Sequence, residues 1–115
     1  MKKINIIKKD KEISNIIKTG KYKKNNYYVV YKKNNDSNKY YRFCVCVSKK
    51  IGNAVVRNKN KRQIKDIIDK SKIKFSRTSD YVIIIKKEIN SLNYEEKKNN
   101  LIDLLLKLEG ENNDK

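Results

Sequence analysis

The chain contains no proline, tryptophan or histidine and only three glycines in 115 residues. The missing histidine removes the commonest general base and metal ligand from any mechanism. Two cysteines are present, Cys44 and Cys46. They stand two apart, so in a strand they share a face and do not bridge easily. No further Cys or His completes a zinc set around them, and they are read as small buried hydrophobes of a reduced, cytoplasmic protein. No run approaches the ~18 apolar residues of a membrane-spanning helix. Met1 to Asp10 carry charge without a long apolar region or a small-residue cleavage site, so they are not read as a secretory signal.

Acidic residues are scarce as well. Thirteen acids face thirty bases, a formal charge of +17. Such an excess repels itself in a compact state and attracts a polyanion. Lysine, asparagine and isoleucine abound in a way that matches AT-rich coding, which raises lysine without functional demand. That bias makes the four arginines informative: Arg42, Arg57, Arg62 and Arg77. Arginine grips phosphate or carboxylate with a planar fork that lysine lacks.

One domain of modest core fits this length. Ile13, Ile16 and Ile17 define a short amphipathic helix over 11–18, with Gly20 as its expected C-terminal cap. The β-branched and aromatic runs at 27–31 and 40–48 predict strands. Asn53 is the expected N-cap of a helix from Ala54 to Lys70, with Val56, Ile64, Ile67 and Ile68 on its buried side. Residues 71–80 read as a polar linker, and Tyr81 to Ile85 as a strand buried on both faces. Asn93 caps a last helix from Tyr94, with Leu101, Ile102, Leu104, Leu105 and Leu108 turned inward. Gly110 is expected to end it. The domain is therefore assigned to 1–110, with 111–115 as a polar tail. Strand 40–48, helix 54–70 and strand 81–85 suit a parallel unit around a crossover helix.

Between Asp36 and Asp66 there is no acid and there are nine bases: Lys39, Arg42, Lys49, Lys50, Arg57, Lys59, Lys61, Arg62 and Lys65. On an ideal helix Arg57, Asn58, Lys61, Arg62 and Lys65 span an arc of about 140°, largely opposite the apolar side. A merely solvated helix mixes its signs, so this stripe points to nucleic acid. A structural RNA-binding protein of the ribosome or its assembly fits the same stripe. Attachment to an anionic membrane surface fits less well, because the apolar helix faces are needed for the core. The acids are scattered, save Glu95 and Glu96 in a helix first turn, and no nucleophile–base pair or phosphate-binding glycine loop is visible.

The stretch Ser48-Lys49-Lys50-Ile51-Gly52-Asn53-Ala54-Val55-Val56-Arg57-Asn58-Lys59-Asn60-Lys61-Arg62 resembles the signature of the bacterial ribonuclease P protein component family, S-K-K-x-G-N-A-V-x-R-N-R-x-K-R. Only Lys59 departs, where the family prefers arginine. Residues 10–22, Tyr81 to Ile85 and Leu92 to Glu96 resemble further parts of it. The resemblance implies an α+β single-domain two-layer sandwich in the order αβββαβα, with a left-handed βαβ crossover and a first strand near Lys21 to Lys24.

It also implies a subunit of the tRNA 5′-end endoribonuclease, binding a catalytic RNA and precursor tRNA, with no obligate protein partner and no membrane. Catalytic Mg2+ would be held mainly by the RNA, with no catalytic residue and no metal in the protein. By motif position the RNA-binding set is Lys49, Lys50, Arg57, Asn58, Lys59, Lys61 and Arg62, and Lys65 extends the stripe. A cleft for the single-stranded leader is implied at Ile13, Ile17 and Tyr31. Isoleucines stand there where the family usually has phenylalanine, so two π-faces for stacking are missing.

Overall fold

The computed structural model describes residues 1–113. Its elements are α1 (Asp10–Thr19), β1 (Lys21–Lys24), β2 (Tyr28–Asn34), β3 (Arg42–Val47), α2 (Ala54–Lys70), β4 (Ser79–Ile85) and α3 (Tyr94–Asn113), with short 3-10 turns at Lys3–Asn5, Lys49–Ile51 and Lys87–Ser91. The order is αβββαβα. The four strands form one sheet in the order β1-β2-β4-β3. Pairing is antiparallel at β1–β2 and β2–β4, and parallel at β3–β4 around α2.

Alternation along the strands sorts the side chains into two faces. Tyr28 and Val30, Phe43, and Tyr81, Ile83 and Ile85 point to one face, where α2 and α3 close over them with Ile64, Ile67, Ile68, Leu101, Leu104, Leu105 and Leu108. Sheet and helix pair are the two layers of the sandwich. Phe43 stacks on Tyr81 with ring centroids 4.4 Å apart and 10° between planes. The opposite face carries a smaller buried cluster of Ile7, Ile16 and Val82. There α1 covers only part of the sheet, so Ile84 alone of the Tyr81–Ile85 run is left half-exposed.

Three local expectations are corrected and one is refined. Gly20 caps α1 as expected, its N–H donating to the Ile16 carbonyl at 2.8 Å, but with an extended φ of −77° and not in a left-handed conformation. Glycine is required instead by close approach: a Cβ there would lie 2.6 Å from the Ile16 carbonyl oxygen and 2.9 Å from that of Lys32. Residues 71–80 are not merely a linker. Ile73 and Phe75 pack on the core, with Phe75 5.1 Å from both Tyr41 and Phe43, and β4 begins at Ser79. Gly110 does not stop α3, which continues to Asn113, because Gly110 is not in the left-handed conformation of a C-terminal cap. The expected tail over 111–115 is thus helical through 113, and residues 114–115 lie outside the described ones. Cys44 and Cys46 are half-exposed rather than buried, because they lie on the partly covered face.

Caps are where the sequence placed them. The Asn53 side chain accepts the Val56 N–H at 3.1 Å. At α3, Asn93 accepts from Glu96 N–H at 2.9 Å while Glu96 accepts from Asn93 N–H at 3.0 Å, a reciprocal capping box.

A polar knot seats α1. Asp80 of β4 is 3% exposed. It accepts from Arg42 Nε at 2.9 Å and Nη2 at 2.8 Å, from Asn38 at 2.6 Å and from Asn35 at 3.2 Å. Arg42 also reaches Glu12 of α1 at 2.6 Å. Burial alone would raise the Asp80 pKa, but the hydrogen bonds from Arg42, Asn38 and Asn35 outweigh it and hold it below the usual carboxylate range. A depressed carboxylate contributes stability above its unfolded pKa of about 3.9 and loses it as pH falls through the lower folded value. Asp80→Ala should therefore cost about 3 kcal/mol at pH 7 in urea unfolding. That is the low end for breaking a buried pair, because Arg42 keeps Glu12. The gap from the parent protein should shrink below pH ~4.

Candidate nucleic-acid interface

The basic surface begins where β3 ends. Ile51 is 3% exposed and its carbonyl accepts from Asn90 at 2.8 Å, which ties the Lys49–Ile51 turn to the Lys87–Ser91 turn. Lys49 and Lys50, just before that anchor, are left exposed. Gly52 has φ +153°, a conformation L side chains rarely adopt, and a Cβ would sit 3.1 Å from the Val56 side chain. The glycine lets the chain turn tightly into α2, whose free N–H groups face solvent beside the two lysines.

Along α2, Asn60, Ile64, Ile67 and Ile68 are buried. Asn58, Lys59, Lys61 and Arg62 are exposed, and Arg57 and Lys65 are half-buried. Asn58, Lys61, Arg62 and Lys65, with the exposed Val55, line a shallow depression. Arg57 lies over the turn, its Nη1 3.5 Å from the Gly52 carbonyl oxygen. Lys59 stands on the other flank, near Lys97 of α3. Burial chiefly, and the Lys59 charge next, lower the Lys97 pKa. The structure thus gathers Asn58, Lys61, Arg62 and Lys65 in one depression, seats Arg57 over the turn, and sets Lys59 apart.

The second surface is the uncovered part of the sheet. Register aligns Tyr22, Tyr31, Val82 and Cys44 in one row across β1, β2, β4 and β3. Val29, Ile84 and Cys46 form the next row. Ile16 of α1 is buried beside Val82, and Ile13 packs against the same cluster with Tyr31, Cys44, Cys46 and Ile84. Ile17 is 36% exposed and lies outside that cluster. Of the three residues expected at a cleft, Ile13 and Tyr31 pack against this cluster and Ile17 does not.

Four floor residues were not foreseen: Tyr22, Cys44, Cys46 and Ile84. Tyr22 is 55% exposed, and its ring lies 5.6 Å from that of Tyr31 at 41°. The alternation that places them is legible, but the register that brings β1 beside β2 is not. The two surfaces meet at α2. Lys61 and Lys65 are close enough to the thiols for their charges to bear on them.

The thiol sulfurs are 3.6 Å apart. The Cys44 thiol is pushed up by its bond to Cys46 and by burial. The Cys46 thiol is brought down to about 7 by the hydrogen bond from Cys44, with burial opposing and Lys61 assisting. Among the described residues, no group of three or more His, Cys, Asp or Glu is gathered to hold a metal ion. No described helix is long and apolar enough to cross a membrane.

A family model described as Ribonuclease P matches residues 1–109. The ribonuclease P protein component of Bacillus mycoides is 42% identical over 102 residues, covering 89% of each chain. Among solved structures, a Staphylococcus aureus RNase P protein mutant with defective mRNA degradation activity superposes with TM-score 0.86 at 32% identity, covering 93% of this chain and 90% of that one. The RNase P protein from Thermotoga maritima gives TM-score 0.67 at 29% identity, covering 84% and 87%.

Asn60 sits inside the motif but faces the core at 2% exposure. Its amide donates to the Val56 carbonyl at 3.0 Å, while its Oδ1 has no partner. Asn60→Leu removes that unmet acceptor and improves helix propensity. A gain of about 1 kcal/mol is expected in urea unfolding, with RNA affinity unchanged because the basic face is untouched.

Proposed function

The chain belongs to the ribonuclease P protein family, the RNA-binding protein side of tRNA 5′-end processing, and from that premise we propose a division of labour between its two surfaces. The loop Lys49–Ile51 and the outer face of α2 anchor the catalytic RNA. The open sheet face takes the single-stranded 5′ leader of precursor tRNA. The observation that carries this reading is continuity: the basic face of α2 and the apolar groove share a border at Lys61 and Lys65. A strand leaving the catalytic RNA's active site would pass from phosphate-binding cations onto a stacking floor.

The chemistry assigned to each surface follows from its side chains. Arg57 and Arg62 make forked phosphate contacts, Asn58 adds hydrogen bonds, and Lys49, Lys50, Lys59, Lys61 and Lys65 supply point charges. Tyr31 and Tyr22 offer the π-faces that Ile13 and Ile17 do not, so bases stack on the sheet rather than on α1. The protein performs no bond cleavage. Mg2+ held mainly by the RNA subunit would supply the chemistry of cleavage, and the protein's cations lower the Mg2+ concentration needed by neutralising phosphates. The particle works in the cytoplasm.

Cleavage of precursor tRNA by the cognate catalytic RNA at low Mg2+, with and without this protein, tests the reading. Cleavage at the mature 5′ end only with protein supports it. No stimulation by folded protein counts against it, and cleavage by protein alone overturns the assignment of chemistry to RNA.

Arg57→Ala or Arg62→Ala should weaken binding to the catalytic RNA by roughly 1–3 kcal/mol, with a shallower salt dependence in filter binding. Tyr22→Ala and Tyr31→Ala should each cost about 1 kcal/mol in affinity for leader-bearing precursor and nothing for leaderless tRNA.

A further inference from the structure

The cysteines on the cleft floor are used neither by the RNA anchor nor by stacking. Cys44 and Cys46 lie on one face of β3, both half-exposed, with sulfurs 3.6 Å apart. A disulfide needs sulfurs at about 2.05 Å and Cα atoms within about 6.8 Å. Two residues apart on an extended strand sit near that upper limit, at about 6.6–6.8 Å. Closing the pair on itself would bend β3, which is held to β4 from Arg42 to Val47. A single bridging atom imposes no such bend. Two sulfurs on one bridging atom, with bonds of ~2.3 Å and an angle of about 90–110°, lie about 3.3–3.8 Å apart, which spans what β3 presents.

The surroundings select the kind of centre. A metal dication seeks about four ligands. Among the described residues no third Cys, His, Asp or Glu joins the pair to make a metal site, and Lys61 and Lys65 oppose added positive charge. A neutral trivalent arsenic centre needs only two thiols and keeps its third substituent.

We propose that Cys44 and Cys46 form a bidentate thiol site for a trivalent monosubstituted arsenical, and that filling it closes the cleft to the leader. The second half rests on the cleft reading above. The reaction is a condensation with no redox step. An organoarsenic oxide, R–As=O, loses its oxygen as water, taking one proton from each thiol, and two As–S bonds form. One thiol attacks first as its thiolate and the neighbouring thiol closes the second As–S bond. The neutral product adds apolar bulk beside Tyr31, Val82 and Ile84, where a base would otherwise lie.

Phenylarsine oxide and the reduced full-length chain test this by intact mass. One phenylarsenic per chain, with two hydrogens lost and reversal by ethanedithiol, is the expected result. Cys44→Ser and Cys46→Ser, both nearly isosteric, should each abolish the stable adduct. No adduct on folded protein, or one that persists in either variant, overturns the site.

Affinity for leader-bearing and leaderless tRNA is then compared in the complex with catalytic RNA. The adduct should cut the leader's contribution at least tenfold in the parent protein and leave the double serine variant unaffected. An unchanged leader contribution in adducted protein overturns the closure. Absence of any leader contribution before treatment would instead reject the cleft reading and with it the closure, while the mass result still decides the thiol site.

Discussion

Asp80 is the shared polar anchor of several separate pieces of chain. Its carboxylate sits on the central strand β4 and pairs in register with Arg42 on the parallel neighbour β3. Asn35 and Asn38 bring in the connection between β2 and β3, and Arg77 donates to the Asn38 carbonyl at 3.3 Å. The far side of Arg42 reaches Glu12, which fixes α1 over one end of the sheet. A buried carboxylate without such partners would cost several kcal/mol, so the charge tolerates few arrangements of these elements. Part of that sheet face stays open because α1 is held at the Asp80 end and covers only part of it.

The two faces of the sheet therefore do different work. One is closed by α2 and α3 and supplies rigidity, including the buried aromatic group of Phe43, Phe75 and Tyr81. Its α2–α3 contact is fastened by Tyr94 donating to Asp66 at 2.7 Å and Lys97 donating to Gln63 at 2.8 Å. These bonds orient α2, and with Ile51, Gly52 and Asn53 they determine where its cations point. Phosphate recognition by a fork requires that orientation more than it requires charge, since charge is everywhere on this chain.

Much of this was legible in the residues. α2 was placed from Ala54 to Lys70 because a cap, a 3.6-residue apolar period and a one-signed outer face all agree there. The caps at Asn53 and Asn93 follow from local chemistry and need no tertiary knowledge. What escaped was long-range. Lys21–Lys24 carries no apolar alternation, so β1 was expected there only from the family resemblance, and it is a strand because β2 offers it an edge. Ile73 and Phe75 look isolated in a polar run until the sheet comes close. Gly20 is demanded by the Lys32 carbonyl, which is twelve residues away in sequence. The same limit hid half of the cleft. Tyr31 was visible as a strand aromatic, but Tyr22, Ile84 and the cysteines join it only through register.

The four arginines show how composition and structure divide the information. In a chain that favours lysine, each retained arginine has a geometric role, but the roles are of two kinds. Arg42 turns inward to the Asp80 carboxylate, and the exposed Arg77 reaches the Asn38 carbonyl at the rim of the polar knot. Arg57 and Arg62 lie on α2, one over the Gly52 turn and one fully outward. Position in the acid-free window did not separate them, because Arg42 lies in it beside Arg57 and Arg62. What separates Arg42 is the carboxylate opposite it on β4, at a sequence distance of 38 residues. A similar displacement affects the aromatics. Where α1 presents aliphatic Ile13 and Ile17, the π-surface stands on β1 and β2, in strands whose spacing the backbone ladder fixes. On the proposed reading, stacking from a strand floor depends less on how α1 is seated than stacking from the helix would.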